Sequence, residues 1–327
     1  MLIIDSPSYD AYFNIASEEY LLNRFPETEI FLLYVNAPSI IVGKFQNTLA
    51  EVNLDFVKEK GIKVVRRLSG GGAVYHDLGN LNFSFHTQFK HKEFQDFSVF
   101  TQPVLDLLNR LGVPAKLEGR NDLTVEGKKF SGNAKLARKN KTVQHGTILI
   151  NSQMQTLAEA LKINPLKFVD KSVKSNRARV TNLQPYLPKN TTNEDFKKML
   201  IAEIQSRNFN SQTYKYTAQD IKNIQHLANT KYSIWDWNFG TSPQYNFKQA
   251  IKINAGFIEL HLEVTRGIIE QAKVYGDFFA TKPIEEFESF LIGIKHERKS
   301  IAATLNKITL QDYFGNVTLD EIMPLFE

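Results

Sequence analysis

The sequence predicts an α+β chain in two parts, a large domain over residues 1–245 and a small one over residues 246–327. Three observations lead there. The apolar run at 62–65 meets Arg66-Arg67, passes through Gly70-Gly71-Gly72, and resumes as the alternating Leu81, Phe83 and Phe85 of a half-buried strand. Both tryptophans, Trp235 and Trp237, stand just before a Gly240-Thr241-Ser242-Pro243 break, which sets the boundary. Beyond it Phe257, Leu260, Leu262 and Val264 read as strand, Thr265-Arg266-Gly267 as a turn, and residues 284–291 and 301–308 as helices, which makes a small α+β domain.

In chain order, residues 14–22 read as an amphipathic scaffold helix, with Ile15 and Leu22 on one face and Glu18 and Glu19 on the other. An unbroken apolar strand at 30–35, a turn at 36–39 and a second strand at 40–43 suggest a hairpin. Pro103 fits the first turn of a helix carrying Val104, Leu107, Leu108 and Leu111, which Gly112 ends. Leu123 to Val125, a Glu126-Gly127 turn and Lys129-Phe130 make another hairpin. Two readings fit Lys129: a solvated side chain in a basic stretch, or an ammonium set beside the exposed backbone of the small, Gly-containing segment that follows it. Residues 144–150 form a strand with His145-Gly146 at its mouth. The basic, hydroxyl-rich segment 171–183 is either a flexible surface or a lid over a nucleotide.

Three adjacent glycines are entropically costly, so they belong where backbone takes positive φ or lies against a ligand. A tight turn is the plain alternative, but Arg66, Arg67, Ser69 and His76 supply more polar groups than a turn requires. Backbone N–H groups with Arg66 or Arg67 would suit a phosphate. The loop matches neither Gly-x-Gly-x-x-Gly opening a helix nor the P-loop, so any nucleotide is expected in a sheet-based site. The absence of cysteine excludes disulfides, thiolate zinc sites and a thioester-forming nucleophile. With no run of 18 apolar residues and no basic region ahead of the first apolar stretch, a cytoplasmic protein without membrane anchorage is expected. A net charge of +5 is a mild excess that an acidic partner or a phosphorylated ligand explains as well as nucleic acid.

The stretch from Arg66 to Asp77 closely resembles the lipoate-binding loop of lipoate-protein ligases. Gly119-Arg120-Asn121-Asp122, Lys129-Phe130-Ser131-Gly132-Asn133-Ala134, His145-Gly146-Thr147, residues 177–183, Trp235-Asp236-Trp237-Asn238 and Gly276-Asp277-Phe278-Phe279 resemble that family in its own order, over nearly the whole chain. The resemblance implies the biotin/lipoate-ligase catalytic fold, a class II synthetase-like mixed sheet with flanking helices, followed by an accessory domain. It also implies a two-step reaction: lipoate and ATP give lipoyl-AMP and pyrophosphate, and a lysine of a lipoyl domain or the glycine-cleavage H protein then displaces AMP. Lys129 matches the catalytic lysine. Arg67, Ala73, Val74, Tyr75, His76, Lys129, Asn176, Arg177, Arg179 and Thr181 match adenylate-binding positions. Arg67, Ser69, Gly70, Gly71, Gly72, His76, Lys129, His145 and Gly146 match lipoate-binding ones. Mg²⁺ is expected with ATP, and Asp122 is one candidate ligand; neither a permanently bound cofactor, nor nucleic acid, nor a membrane is implied. Related octanoyltransferases need a cysteine that this chain lacks, and biotin ligases carry a Gly-Arg-Gly-Arg-x-Gly loop in place of this one. A non-enzymatic binding module on the same fold is the alternative, and Lys129 beside an intact glycine loop weighs against it.

Overall fold

The computed structural model describes residues 1–46, 48–90, 94–138, 140–161, 180–239, 247–265 and 267–326. A continuous apolar run such as Ile30–Val35 needs cover on both faces of its strand. It has it: Phe31 and Leu33 pack with Leu108 and Phe196 on one side, while Leu32 and Tyr34 pack with Ile15 and Ile224 on the other. This strand, β2, belongs to the main sheet, together with β1 (Leu2–Asp5), β6 (Asn80–Gln88), β7 (Ala115–Glu118), β8 (Asp122–Val125), β9 (Lys128–Arg138), β10 (Lys141–Leu149) and β11 (Gln212–Thr213). Their order across the sheet is β11-β1-β2-β6-β10-β9-β8-β7. Pairing is parallel from β11 to β2 and antiparallel from β2 to β7, so the sheet is mixed. Helices Ser98–Arg110 and Asn193–Arg207 cover one face, and Ala11–Arg24 and Ala218–Leu227 the other.

Residues 30–43 do not form the expected hairpin. Both edges of β2 are already taken by β1 and β6, so the chain leaves the sheet and β3 (Ser39–Val42) pairs instead with β4 (Lys63–Arg66) and β5 (Val74–His76) in a second sheet. The Pro103 expectation also needs correction. The helix begins at Ser98, and Pro103 lies inside it; Thr101 Oγ1 donates to Phe97 O, and Phe97 and Phe100 pack the added turn onto the core. Gly112 ends the helix with φ 82°, as its position implied.

In the small domain, β12 (Phe247–Ile253), β13 (Gly256–Thr265) and β14 (Ile268–Gly276) make an antiparallel meander. Its inner face closes over Leu260, Leu262, Val274, Phe287 and Phe314. Helix Ile284–Leu291 stands where its pattern placed it, and the next runs Arg298–Leu305, earlier than the pattern at 301–308. Among the described residues no helix is long and apolar enough to cross a membrane.

Candidate active site

A cavity of about 380 Å³ lies between the two sheets of the large domain and the small domain. One part of its wall is the glycine loop. Arg67, itself buried, organises that loop: Nη1 donates to Ile41 O (3.0 Å), Nη2 to Gly70 O (2.7 Å) and Gly72 O (2.8 Å), and Nε to Ser69 Oγ (3.0 Å). Arg66 is likewise buried and donates to the carbonyls of Gly43, Lys44, Gln46, Trp237 and Asn238. The indole of Trp237 donates back to Arg66 O (2.9 Å), which explains why a tryptophan motif so far along the chain matters to this loop. Burial lowers both guanidinium pKa values to about 10. Both arginines spend most of their donors inside the fold, on these carbonyls and on the hydroxyls of Thr48 and Ser69, while Arg67 also lines the cavity.

Behind the loop runs a buried polar chain. Ser69 Oγ meets His145 Nε2 at 2.6 Å, His145 Nδ1 meets Glu18 Oε2 at 2.7 Å, and Tyr34 donates to Glu18 Oε1 at 3.1 Å. Burial alone would raise the Glu18 carboxyl, but the His145 imidazole and the Tyr34 hydroxyl hold it below the usual range. The acidic face that the sequence pattern assigns to Glu18 and Glu19 is buried. Glu19 is satisfied by Lys231, Arg138 and Tyr232. No local signal marks these carboxylates, because apart from Tyr34 their partners His145, Arg138, Lys231 and Tyr232 lie more than 100 residues away. His145 and Gly146 sit in the middle of β10, not at its mouth, since β10 starts at Lys141 to match the full length of β6.

His76 presents a different chemistry. Its Nδ1 lies 3.0 Å from Asn36 Nδ2, whose own Oδ1 accepts from Asn14 Nδ2 at 2.8 Å. Asn36 therefore donates, which leaves the imidazole proton on Nε2, and this atom has no partner among the described residues. Burial first, and then the Arg67 charge, push the His76 pKa down to about 3. A neutral ring borders the cavity, with its Nε2–H buried.

The opposite chemistry comes from the β8–β9 hairpin. Glu126 and Gly127 take φ of 51° and 71°, as a two-residue turn of the primed kind requires, and deliver Lys129 to the cavity. Its Nζ pairs with Asp122 Oδ1 at 2.7 Å, both side chains being 37% exposed. Gly132 makes room, since a Cβ there would stand 3.1 Å from Lys129 Nζ. Thr181 N donates to Lys129 O at 2.8 Å, so the chain is pinned beside the lysine just after residues 162–179.

The structure thus brings Arg67, Gly71, Gly72, Ala73, Val74, His76, Lys129, His145 and Gly146 into one cavity wall. Ser69 and Gly70 lie behind it, and the Tyr75 side chain points away into the apolar cluster of Ile40, Val42 and Val64, as alternation along β5 demands. Asn176, Arg177 and Arg179 fall outside the described residues. Sequence reasoning missed Ile15, Tyr34 and Lys252 and gave no site role to Arg120 and Asp277, though both stand in the family-like motifs; all five line the cavity, Lys252 and Asp277 from the small domain. That domain docks on the glycine loop itself: Gly71 N donates to Phe278 O (3.2 Å), Phe45 stacks on Phe278 at 4.8 Å, and a Cβ on Gly70 would stand 2.0 Å from Phe278 O. Close approach, more than positive φ, explains the glycine at 70.

Fold and site together define a two-domain α+β protein with a sheet-based cavity, a glycine loop braced from behind and an ammonium delivered by the β8–β9 hairpin. The model of the lipoyl protein ligase A/B catalytic domain matches residues 10–205, that of the bacterial lipoate protein ligase C-terminus matches residues 242–326, and the chain belongs to this family of lipoate-protein ligases. It is 45% identical over 329 residues to the lipoate-protein ligase LplJ of Bacillus subtilis, covering 99% of each chain, and 44% identical to lipoate–protein ligase 1 of Staphylococcus aureus, covering 97% and 96%. Among solved structures, P. falciparum LipL1 in complex with lipoate superposes with a TM-score of 0.81 at 30% identity over 94% of both chains. A lipoate-protein ligase A bound with ATP gives 0.61 at 26% identity, covering 73% of this chain and 98% of that one. A bipartite ligase from Thermoplasma acidophilum, described with its E2 lipoyl domain, gives 0.64 at 29%, covering 75% and 98%.

Proposed function

We propose that the protein activates lipoate with ATP to lipoyl-AMP, releasing pyrophosphate, and transfers the lipoyl group to a lysine of a lipoyl domain. The observation that carries this reading is that Lys129, neutral His76 and the glycine loop converge on one cavity that also has an apolar part, formed by Ile15, Ile41, Val74 and Ala134. An acyl chain gains area-proportional energy among those side chains, while its carboxylate and the α-phosphate need donors at the junction. Lys129 supplies the charge there. Its present pairing with Asp122 is half-exposed and so worth little, which lets substrate oxygens replace that carboxylate. His76 Nε2–H and the loop N–H groups add neutral donors that need no proton exchange to act. Residues 176–182 belong to this reading as the segment covering the adenylate. Arg67 serves through the loop that it braces.

Among the described residues no cluster of three His, Cys, Asp or Glu side chains could form a metal cage. Mg²⁺ is usually held by one or two carboxylates together with substrate phosphates, and Asp122, already facing the cavity, fits that role once Lys129 turns to substrate. The ion would neutralise phosphate charge. We place the domain division at residues 245/246, which lie outside the described residues, and the cytoplasm as the working compartment. The glycine-cleavage H protein is the second acceptor within this reading. Lipoate-dependent pyrophosphate release from ATP, followed by a lipoyl mass gain on purified acceptor domains, tests it. A protein that binds both ligands yet releases no pyrophosphate would leave the non-enzymatic alternative standing.

A further inference from the structure

The cavity is not closed by the large domain alone. Lys252, at the end of β12, and Asp277, just after β14, reach its wall from the small domain. Among the described residues the wall carries four cationic side chains, Arg67, Arg120, Lys129 and Lys252, against two carboxylates, Asp122 and Asp277. Arg67 is committed to the loop, and Arg120 to the carbonyls of Ala255 and Asp277, with its guanidinium 4.4 Å from the centre of the Phe279 ring. Two ammonium groups remain, one from each domain.

Lys252 is loosely held. Its Nζ stands 3.9 Å from Asp277 Oδ2, at the limit of an ion pair, while the other Asp277 oxygen accepts from Phe257 N at 2.5 Å. With its side chain 34% exposed, such a pair contributes little, and an anion of higher charge would draw the lysine across. Its surroundings place it at the polar part of the cavity: Asp277 touches Arg120, and two residues further along that loop Asp122 pairs with Lys129. Within the reading that this cavity activates lipoate with ATP, the α-phosphate belongs beside Lys129. The remaining phosphates then need a cation that is not Lys129.

We propose that Lys252 is that cation, a ligand of the β- and γ-phosphates and of the pyrophosphate they become. In the step concerned, a carboxylate oxygen of lipoate attacks the α-phosphorus, the bond from that phosphorus to the bridging oxygen breaks, and pyrophosphate leaves with the electron pair. Lys252 meets the charge that gathers on the leaving group, and it does so from the small domain. Pyrophosphate therefore bridges the two domains, and its departure removes the bridge before an acceptor lysine must enter.

The test uses the full-length protein and its Lys252→Gln, Lys252→Arg and Lys248→Gln variants; Lys248 lies on the same strand and pairs with Glu259, away from the cavity. Lipoate-dependent ATP–pyrophosphate exchange, calorimetric binding of inorganic pyrophosphate, and lipoyl transfer from supplied lipoyl-AMP are measured for each. Loss of one charge-assisted contact predicts a roughly ten-fold rise in the KM for ATP and in the Kd for pyrophosphate with Lys252→Gln. Lys252→Arg should recover most of both, Lys248→Gln should match the parent, and transfer should stay within about two-fold throughout. Unchanged ATP and pyrophosphate constants would overturn the proposal. So would equal losses in exchange and transfer, which would make Lys252 a domain tether, or a loss in transfer alone, which would make it a contact for an acidic acceptor. A parent with no lipoate-dependent exchange would overturn the activation reading instead, and the calorimetric arm, which needs no lipoate, would still decide whether Lys252 binds pyrophosphate.

Discussion

Arg66 and Arg67 in and behind the glycine loop and Lys129 and Lys252 in the cavity wall carry the same charge, and the fold uses them in opposite ways. The arginines are buried, planar and hydrogen-bonded mainly to carbonyls, so they define the shape of the glycine loop. The lysines are partly exposed and each is held by a single carboxylate, so their charge can move to a ligand. Substitutions should separate a brace from a reagent.

The largest effect is expected at Arg67. Arg67→Ala strands the carbonyls of Ile41, Gly70 and Gly72, and at about 1–3 kcal/mol for each unsatisfied buried group the total should be roughly 3 kcal/mol or more. Both half-reactions should fall with it, and Arg67→Lys should not rescue them, because an ammonium cannot reproduce the fork. Urea denaturation and the two assays would reveal the comparison as mistaken if Arg67→Lys were stable and active. Lys129→Ala should show the reverse pattern. We expect about a hundred- to a thousand-fold loss in lipoyl-AMP formation and a change in stability within about 0.5 kcal/mol. Lys128→Ala, exposed on the other side of the strand, should be mild. A Lys129→Ala enzyme forming lipoyl-AMP within a few-fold of the parent would remove the lysine from its assigned role.

Histidine titration gives a smaller, pH-dependent contrast. His76 and His86 are held neutral in the fold, with pKa values lowered by burial from 6.5 to about 3 and about 4. An unfolded histidine takes up its proton near 6.5, so below that pH the unfolded state binds more protons than the native one. Stability should be level above pH 6.5 and decline as the pH falls from 6.5 towards 4. Glu18, lowered from 4.5, adds its own loss only beneath that value. Urea midpoints at pH 7.5, 6 and 5 should show the decline, and His76→Gln should flatten part of it; an unchanged slope would mean that the ring is protonated in the fold. The smallest effect concerns the apolar part of the cavity. Octanoate should replace lipoate with a kcat/KM reduced by roughly ten- to a hundred-fold, since a hydrophobic pocket discriminates weakly between tails. Strict rejection would require a polar reader of the ring sulfurs.

The sequence by itself carried the local chemistry. Gly70-Gly71-Gly72 between two strands marked a ligand loop, Glu126-Gly127 marked the turn that delivers Lys129, and the periodicity after residue 256 marked the small α+β domain. These are short-range features, written in neighbours a few residues apart, where propensity and alternation act directly. Only the tertiary structure decided what depends on distant partners. It made two arginines braces of the glycine loop by meeting them with carbonyls from residues 41–46 and 237–238. Glu18 became a buried anchor because His145, 127 residues on, covers it. Strand β3 left β2 because both of that strand's edges were occupied, and Lys252 reached the cavity because Phe278 docks against Gly70 and Gly71. Burial and hydrogen-bond accounting are properties of the assembled chain, and a one-dimensional pattern does not contain them.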